Sequence, residues 1–433
     1  MPEIEAVAVD LGASSARIAT GRLEGGRIRF EIVEQVTHEP IHWCGQLTWD
    51  MDALMRVARK ALRLAQENEA TLAIDSWGVD VGFLSMGEKL IPSPVCYRDL
   101  SHERVFQSLK ESRDRIYGLT GIQHQPFNTL YQLVARAQDS ADLRNATWLM
   151  MPDLISCLLG APPNIEQTNA STTQLCGLDG NWCEEIFDLI GWPMPEFRIS
   201  NPGRVLTEFE GARIVSCASH DTASAVFGMG TLTDDVAFMS VGTWSLIGCL
   251  LDEPNLADPG FTNERAIDGR VRYLANVPGF YVVNRVHEEL GIKVPVPEWL
   301  AMARPDPDQT YPNLMDPKFF NPVSMCEALG ETHDLPTTII GALSQTSASQ
   351  LKRLERNTGR TFSKIRAAGG GSESEVFCQS LANATGIPVE SGPKEATVLG
   401  NLACQFWAEG KLESFQLARE AIDRSFDIGC FCP

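Results

Sequence analysis

Val7-Ala8-Val9-Asp10-Leu11-Gly12-Ala13-Ser14-Ser15-Ala16-Arg17 is the stretch from which the architecture unfolds. Val7 to Asp10 reads as a short buried strand, Leu11 to Ser15 as a tight turn, and Ala16 to Leu23 as an alternating second strand. Glu24-Gly25-Gly26 supplies a hairpin turn, after which Arg27 to Val33 alternates again. Asp50 is placed to cap a helix over about 51–67, whose Leu54, Val57, Ala58, Ala61, Leu62 and Ala65 fall on one face. Thr71 to Asp75 is a buried-type strand; Trp77-Gly78-Val79-Asp80 turns the chain into another strand ending at Leu84. The order βββαβ departs from a nucleotide-binding βαβ repeat, which alternates strand and helix from its start.

Further along, about 101–200 reads as helical with proline joints at Pro126, Pro152, Pro162-Pro163, Pro193 and Pro195; Ser112 to Thr120 and Asn128 to Ala137 carry helical spacing. The opening pattern then recurs. Arg213 to Cys217 is a strand, followed by Ala218-Ser219-His220-Asp221-Thr222, and Val236 to Gly248 is again strand, Gly-Thr turn, strand. An irregular stretch over about 252–325, rich in Pro, Asp and Asn, precedes a helix at about 338–357. A strand Lys364 to Ala368, the triplet Gly369-Gly370-Gly371, a helix to Thr385 and a last helix from about Glu395 to Gly410 follow. Two similar halves are expected, 1–227 and 228–433, alike in element order rather than in identity.

The chain has 433 residues and a formal charge of −20, with 44% apolar residues, ordinary for a folded protein large enough for two domains. The acidity argues against nucleic acid and anionic membranes, which need a basic face, but leaves room for a small anion held by backbone N–H groups and a metal ion. No apolar run reaches the length of a membrane span, and Met1-Pro2-Glu3-Ile4-Glu5 lacks the basic flank of a leader. Twelve cysteines without a C-x-x-C pair point to reduced thiols and a cytoplasmic protein, in which the N-x-S/T matches at Asn145, Asn169 and Asn383 are chance.

In the first turn, Gly12 lets a ligand approach the backbone, Ser14 and Ser15 offer hydroxyls, Arg17 a cation and Asp10 a carboxylate for Mg²⁺. Asp and Gly also suit a plain hairpin. Val241-Gly242-Thr243-Trp244-Ser245 is the same device in the second half, and no P-loop sequence exists. Asp221, beyond a strand's end, reads either as a base taking a proton from an attacking hydroxyl or as a helix cap. Gly369 to Gly371 admits a flat ring or a tight turn. Trp77 and Asp80 suit a sugar-facing turn or a buried strand junction. His38-Glu39-Pro40-Ile41-His42 matches H-E-x-x-H, but Pro40 breaks the helix that motif needs. Cys430-Phe431-Cys432 is too closely spaced for a usual zinc site.

Taken together, VAVDLGASSAR (7–17), LTWDMDAL (47–54), IDSWGVDVGFL (74–84), YRD (97–99), QPFNTLYQL (125–133), LMMPDLISCLL (149–159), TNASTTQL (168–175), SHDTASAV (219–226), SVGTWSLIG (240–248), GGG (369–371) and GPKEATVLGN (392–401) resemble the FGGY carbohydrate kinases, in family order and over nearly the whole chain. The resemblance implies an α/β fold of two ribonuclease H-like domains of the actin/hexokinase type, with ATP and sugar in an interdomain cleft. It implies sugar binding and the first phosphate hairpin in 1–227, ATP binding in 228–433, and transfer of the γ-phosphoryl of ATP to a ketose hydroxyl. L-rhamnulose at C1 comes first, ahead of L-fuculose, D-ribulose, D-xylulose or a branched ketose.

By position the resemblance makes Asp221 the general base, and Ala13, Ser14, Ser15, Arg17 and Thr243 phosphate contacts. It puts Asn284 and Gly369, Gly370 and Gly371 at ATP, and Gly78, His220, Thr222 and Asn276 at the sugar; Asp80, from the reading of its own turn, is a candidate hydroxyl acceptor beside them. Asp10 falls on the Mg²⁺ side. Three departures stand out: Ala16 where the family carries Gly, Asn284 for a Gln, and Ser372-Glu373-Ser374 where a set such as Cys-Gln-Asn is usual. The C-terminal region is also shorter. These changes motivate an alternative, a sugar- or nucleotide-sensing pseudokinase; an actin-like filament is a third class. Expected partners are a ketose and ATP/ADP, with no nucleic acid and no membrane, and the chain acting as a monomer or homodimer.

Overall fold

Parallel pairing of Ala6–Leu11 with Thr71–Ser76, in register from Ala6↔Thr71 to Leu11↔Ser76, is the spine of the first of two units in this computed structural model. The structure describes residues 4–85, 89–320, 322–330, 332 and 334–433; Met1-Pro2-Glu3, read above for its lack of a leader flank, lies outside them. The sheet order is Arg27–Thr37, Ser15–Glu24, Ala6–Leu11, Thr71–Ser76, Ala212–Ser216, Arg204–Phe209. Gly25 and Gly26, at φ 59° and 73°, make the predicted hairpin turn, a conformation that glycine adopts without steric cost. The helix Met51–Glu67 starts where its cap predicts: Ala53 N donates to Asp50 Oδ1 at 2.9 Å. Its apolar face joins Val7, Val9, Leu72 and Ile74 in the core.

Three segments build this unit: 1–230, Asp252–Val271 and Thr397–Ser425. The two returns are absent from the simple division read from sequence. They are tied to each other, since Arg419 Nη2 lies 2.6 Å from Asp268 Oδ2, and to the sheet, since Gln405 Nε2 donates to Val7 O at 3.0 Å.

The second unit comprises Thr231–Leu251, Arg272–Ala396 and Phe426–Pro433. Its strands run in the order Val271–Pro278, Trp244–Leu251, Val236–Val241, Lys364–Ala368, Val389–Ser391, Gly429–Phe431. The arrangement repeats the first unit: an antiparallel hairpin, a strand beside it, and a parallel strand next to the hairpin's first strand. The helix Leu335–Thr358 begins earlier than its apolar spacing suggests, because Asp334 caps it and Pro336 fits its first turn. The stretch 252–325 is more regular than its composition implies, containing the strands Thr262–Arg265 and Val271–Pro278 and the helix Tyr281–Glu289. Among the described residues, no helix is long and apolar enough to cross a membrane.

Candidate active site

The strands Ala6–Leu11, Thr71–Ser76 and Ala212–Ser216 are parallel and finish on one edge of the first sheet. That edge gathers acids. Asp10 and Asp75 are register partners, so their side chains leave the sheet on the same face. Asp10 is 4% exposed and ion-pairs with Arg17 at 2.9 Å across the hairpin. Asp75 is fully buried; Asn401 Nδ2 donates to its Oδ2 at 2.6 Å, and Oδ1 has no partner among the described residues. Burial, then the charge of Asp10, pushes the Asp75 carboxyl well above the usual range. Ala13 and Ser15 are half-buried and Ser14 is exposed at the turn, which Gly12 N closes onto Ser15 O at 2.8 Å.

Past the third strand the chain is clamped. Ser76 and His220 form a parallel bridge. Ser219 N and Oγ both donate to Glu166 Oε2 at 3.0 Å, and His220 N donates to Thr168 Oγ1 at 3.2 Å. Glu166 is itself fully buried, and burial raises its pKa against four opposing hydrogen bonds. This clamp delivers Asp221 to the first position of the helix Asp221–Gly228. His220, not Asp221, is the cap residue. The Asp221 side chain is 30% exposed, and its Oδ1 accepts from Thr222 N at 2.5 Å and Thr222 Oγ1 at 3.1 Å.

The turn Trp77–Asp80 borders the same edge. Trp49 and Trp77 rings lie 4.0 Å apart. Asp80 is fully buried beneath them: Oδ2 accepts from Trp49 Nε1 (2.6 Å), Trp77 Nε1 (3.0 Å) and Tyr97 N (3.1 Å), and Oδ1 from Gln132 Nε2 (2.7 Å). Burial lifts its pKa to about 6 against these four donors. Val79 sits at φ 69°, a strained conformation for a β-branched residue. Thr172 Oγ1 and Thr129 Oγ1 hold its N–H and C=O. Gly78 has little spare room, since a Cβ there would lie 3.1 Å from Thr172 and 3.3 Å from His220 Nε2.

The second unit carries the remaining expected residues. Thr243 is exposed at its hairpin turn, where Phe280 N and Tyr281 N donate to Gly242 O and Thr243 O at 2.9 and 3.1 Å. Gly369 takes φ 94°, and a Cβ there would meet Val241 O at 2.8 Å; at Gly371 it would meet Val241 Cγ1 at 2.4 Å and Phe280 at 2.8 Å. Gly370 is exposed. Asn276 is half-buried on Val271–Pro278, and Asn284 is exposed on Tyr281–Glu289. Glu373, the acidic departure after the glycines, pairs with Lys394 at 2.8 Å.

Thus the first unit brings together Asp10, Ala13, Ser14, Ser15, Arg17, Gly78, Asp80, His220, Asp221 and Thr222, and the second holds Thr243, Asn276, Asn284 and Gly369 to Gly371. Sequence reasoning missed Glu166, Glu264, Asn401 and His38. His38 packs between hairpin and indoles: its Nε2 lies 2.8 Å from Gly12 O, and its ring is 5.8 and 6.0 Å from those of Trp49 and Trp77. Its proximity to Pro40 and its place outside any helix gave no sequence signal for that role.

Residues 237–409 match the C-terminal domain of the FGGY family of carbohydrate kinases. Rhamnulokinase of Enterococcus faecalis is 31% identical over 97% of this chain and 92% of its own length. Rhamnulokinase of Yersinia pestis is 32% identical over 99% and 95%. Among solved structures, a xylulose kinase from Lactobacillus acidophilus superposes with a TM-score of 0.82 at 16% identity, covering 99% of this chain and 93% of that one. Plasmodium falciparum glycerol kinase with ADP gives 0.78 at 14% identity, covering 98% and 94%. These likenesses bear out the expected two-domain actin/hexokinase-type fold, and the full-length identities show that the chain belongs to the FGGY family of carbohydrate kinases.

Proposed function

We propose that this sugar kinase transfers the γ-phosphoryl group of ATP to the C1 hydroxyl of L-rhamnulose, giving L-rhamnulose 1-phosphate and ADP in the cytoplasm. The observation that carries the reading is Asp221: a half-exposed carboxylate at a helix start, held by a buried clamp beside the Trp77–Asp80 turn. The relatives similar over their full length are named rhamnulokinase, which favours this ketose over the others.

In this mechanism Asp221 orients the sugar hydroxyl and accepts its proton as the oxygen attacks phosphorus. Gly78, His220, Thr222 and Asn276 face the sugar. Asp80, with four donors converging on it, acts by bracing the two indoles rather than by meeting a hydroxyl itself. Ala13, Ser14, Ser15 and Thr243 contact phosphates through backbone and hydroxyl groups; Arg17 joins them while remaining tied to Asp10. Gly369 to Gly371 and Asn284 receive the nucleoside. The functional division is then 1–227 for sugar and first hairpin and 228–433 for ATP, with Asn276 at the sugar as the exception and with Asp252–Val271 and Thr397–Ser425 belonging to the first unit.

The carboxylate of Asp10 is the hard oxygen donor that Mg²⁺ prefers, and the buried Asp75 carboxyl, its Oδ1 unpartnered among the described residues, lies beside it on the same face. Asp10 would hold the ion through water, and the ion would neutralise charge on the β- and γ-phosphates. The pairing of Glu373 with Lys394 offsets its negative charge, which favours turnover over a purely sensing role. The test is a panel of ketoses with Mg-ATP and coupled detection of ADP. L-rhamnulose should give the highest kcat/KM; a better ketose overturns the substrate, and sugar binding without ADP release overturns the kinase.

A further inference from the structure

We infer that Glu264 is a positioning residue for the proposed base, reaching Asp221 through His220. The inference rests on the reading of Asp221 given above and extends it to a residue outside that machinery. The His220 ring stands between two carboxylates: Nε2 is 3.4 Å from Asp221 Oδ1, and Nδ1 is 3.3 Å from Glu264 Oε2. His220 and Glu264 side chains are each 10% exposed, whereas Asp221 is 30% exposed, so the array runs from the interior towards the accessible carboxylate.

Glu264 is rigidly presented. It lies on the strand Thr262–Arg265, within the segment that returns to the first unit, and both neighbours are anchored there. Asn263 N and Nδ2 donate to Gly121 O at 3.0 and 2.9 Å. Arg265 N donates to Ser171 Oγ at 2.9 Å, and its guanidinium reaches Leu178 O and Gly269 O. The ring is confined on another side by Gly78, where even one added carbon would come within 3.3 Å of Nε2. The backbone of Ser219 and His220 is fixed by Glu166 and Thr168.

The two carboxylates hold the ring between them by charge and contact at 3.3 and 3.4 Å, and only an imidazole with both nitrogens protonated offers an N–H to each. The oxygen facing Nε2 is the same Oδ1 that Thr222 holds, so three groups on one oxygen set the direction of the Asp221 carboxyl. Glu264 thereby fixes the base without touching the reactants.

A double-mutant cycle tests this on the full chain, with Mg-ATP, the preferred ketose from the panel, and thermal unfolding in parallel. Glu264→Gln should lower kcat about tenfold with both KM values within about twofold, and should cost nothing further in an Asp221→Asn background. Glu264→Asp, which keeps the charge, should recover part of the loss and stands in the cycle if Glu264→Gln does not fold. Equal losses in both backgrounds, a raised sugar KM with kcat intact, or no effect of Glu264→Gln would each overturn the inference. Normal turnover by Asp221→Asn overturns the base assignment and this inference with it; an Asp221→Asn loss beside an unimpaired Glu264→Gln overturns this inference alone.

Discussion

The two sheets share an order of strands but not a chemistry. In the first, the hairpin strand ends in Asp10 and its parallel partner in Asp75; at the matching positions of the second stand Ser240 and Ala368, also register partners. After Asp75 the chain runs into Trp77 and Gly78, after Ala368 into three glycines. The duplicated architecture supplies two strand-edge turns. Carboxyls at the equivalent places make one an acidic edge, the side proposed above for metal and proton, and leave the other, proposed for the nucleoside, without them at the strand ends. Fold repetition therefore says where chemistry can occur, and the residues at the strand ends say which chemistry.

The strongest way to break this asymmetry is to exchange the acidic position against its neutral counterpart. Asp10→Asn should weaken the Mg²⁺ requirement curve about 10- to 100-fold, whereas Ser240→Ala should leave it within about twofold. Equal effects in a magnesium titration of kcat would remove the distinction. On the neutral edge, Gly371→Ala forces a carbon against Val241 and Phe280 and should raise the KM for ATP about tenfold, with a strain cost of about 1–3 kcal/mol seen in thermal unfolding. The KM for the sugar should hold steady; a shift in sugar KM alone would contradict the assignment of that edge.

The smallest expected effect concerns the segments that return to the first unit. Burial pushes Asp268 up, but Arg270 and Arg419 more than offset it and hold its carboxyl below the ordinary value. A depressed carboxylate adds stability above its unfolded pKa and loses it as pH falls through the folded one. Asp268→Asn should therefore destabilise by about 1 kcal/mol at neutral pH, with the gap to the native protein closing below pH ~4. Denaturant unfolding at several pH values measures it, and a gap that widens in acid would show the wrong sign.

Much of this is legible in the chain. The Asp50 cap, the apolar face from Leu54 to Ala65 and the Gly25-Gly26 turn act over a few residues, so local patterns report them. The repetition of strand, turn and strand at 236–248 is equally local. The residue types of the site are legible for the same reason, including Asp221 beyond a strand's end. What hides is partnership at long range. The sequence shows Asp80 and Arg17 but not the four donors on the one or the Asp10 carboxylate on the other. Glu264 lies in a stretch whose Pro, Asp and Asn content masks the strand Thr262–Arg265, and its value comes only from meeting His220. Asn401 reaches Asp75 across 326 residues, a contact that no periodicity announces.

The central claim is that a single carboxylate on the acidic edge takes the sugar's proton. Rapid-quench single-turnover phosphoryl transfer by Asp221→Asn, beside equilibrium binding of L-rhamnulose to the same variant, tests it most directly. The transfer rate should fall on the order of 10²–10⁴-fold while sugar affinity is largely retained. A transfer rate close to that of the native protein would contradict it.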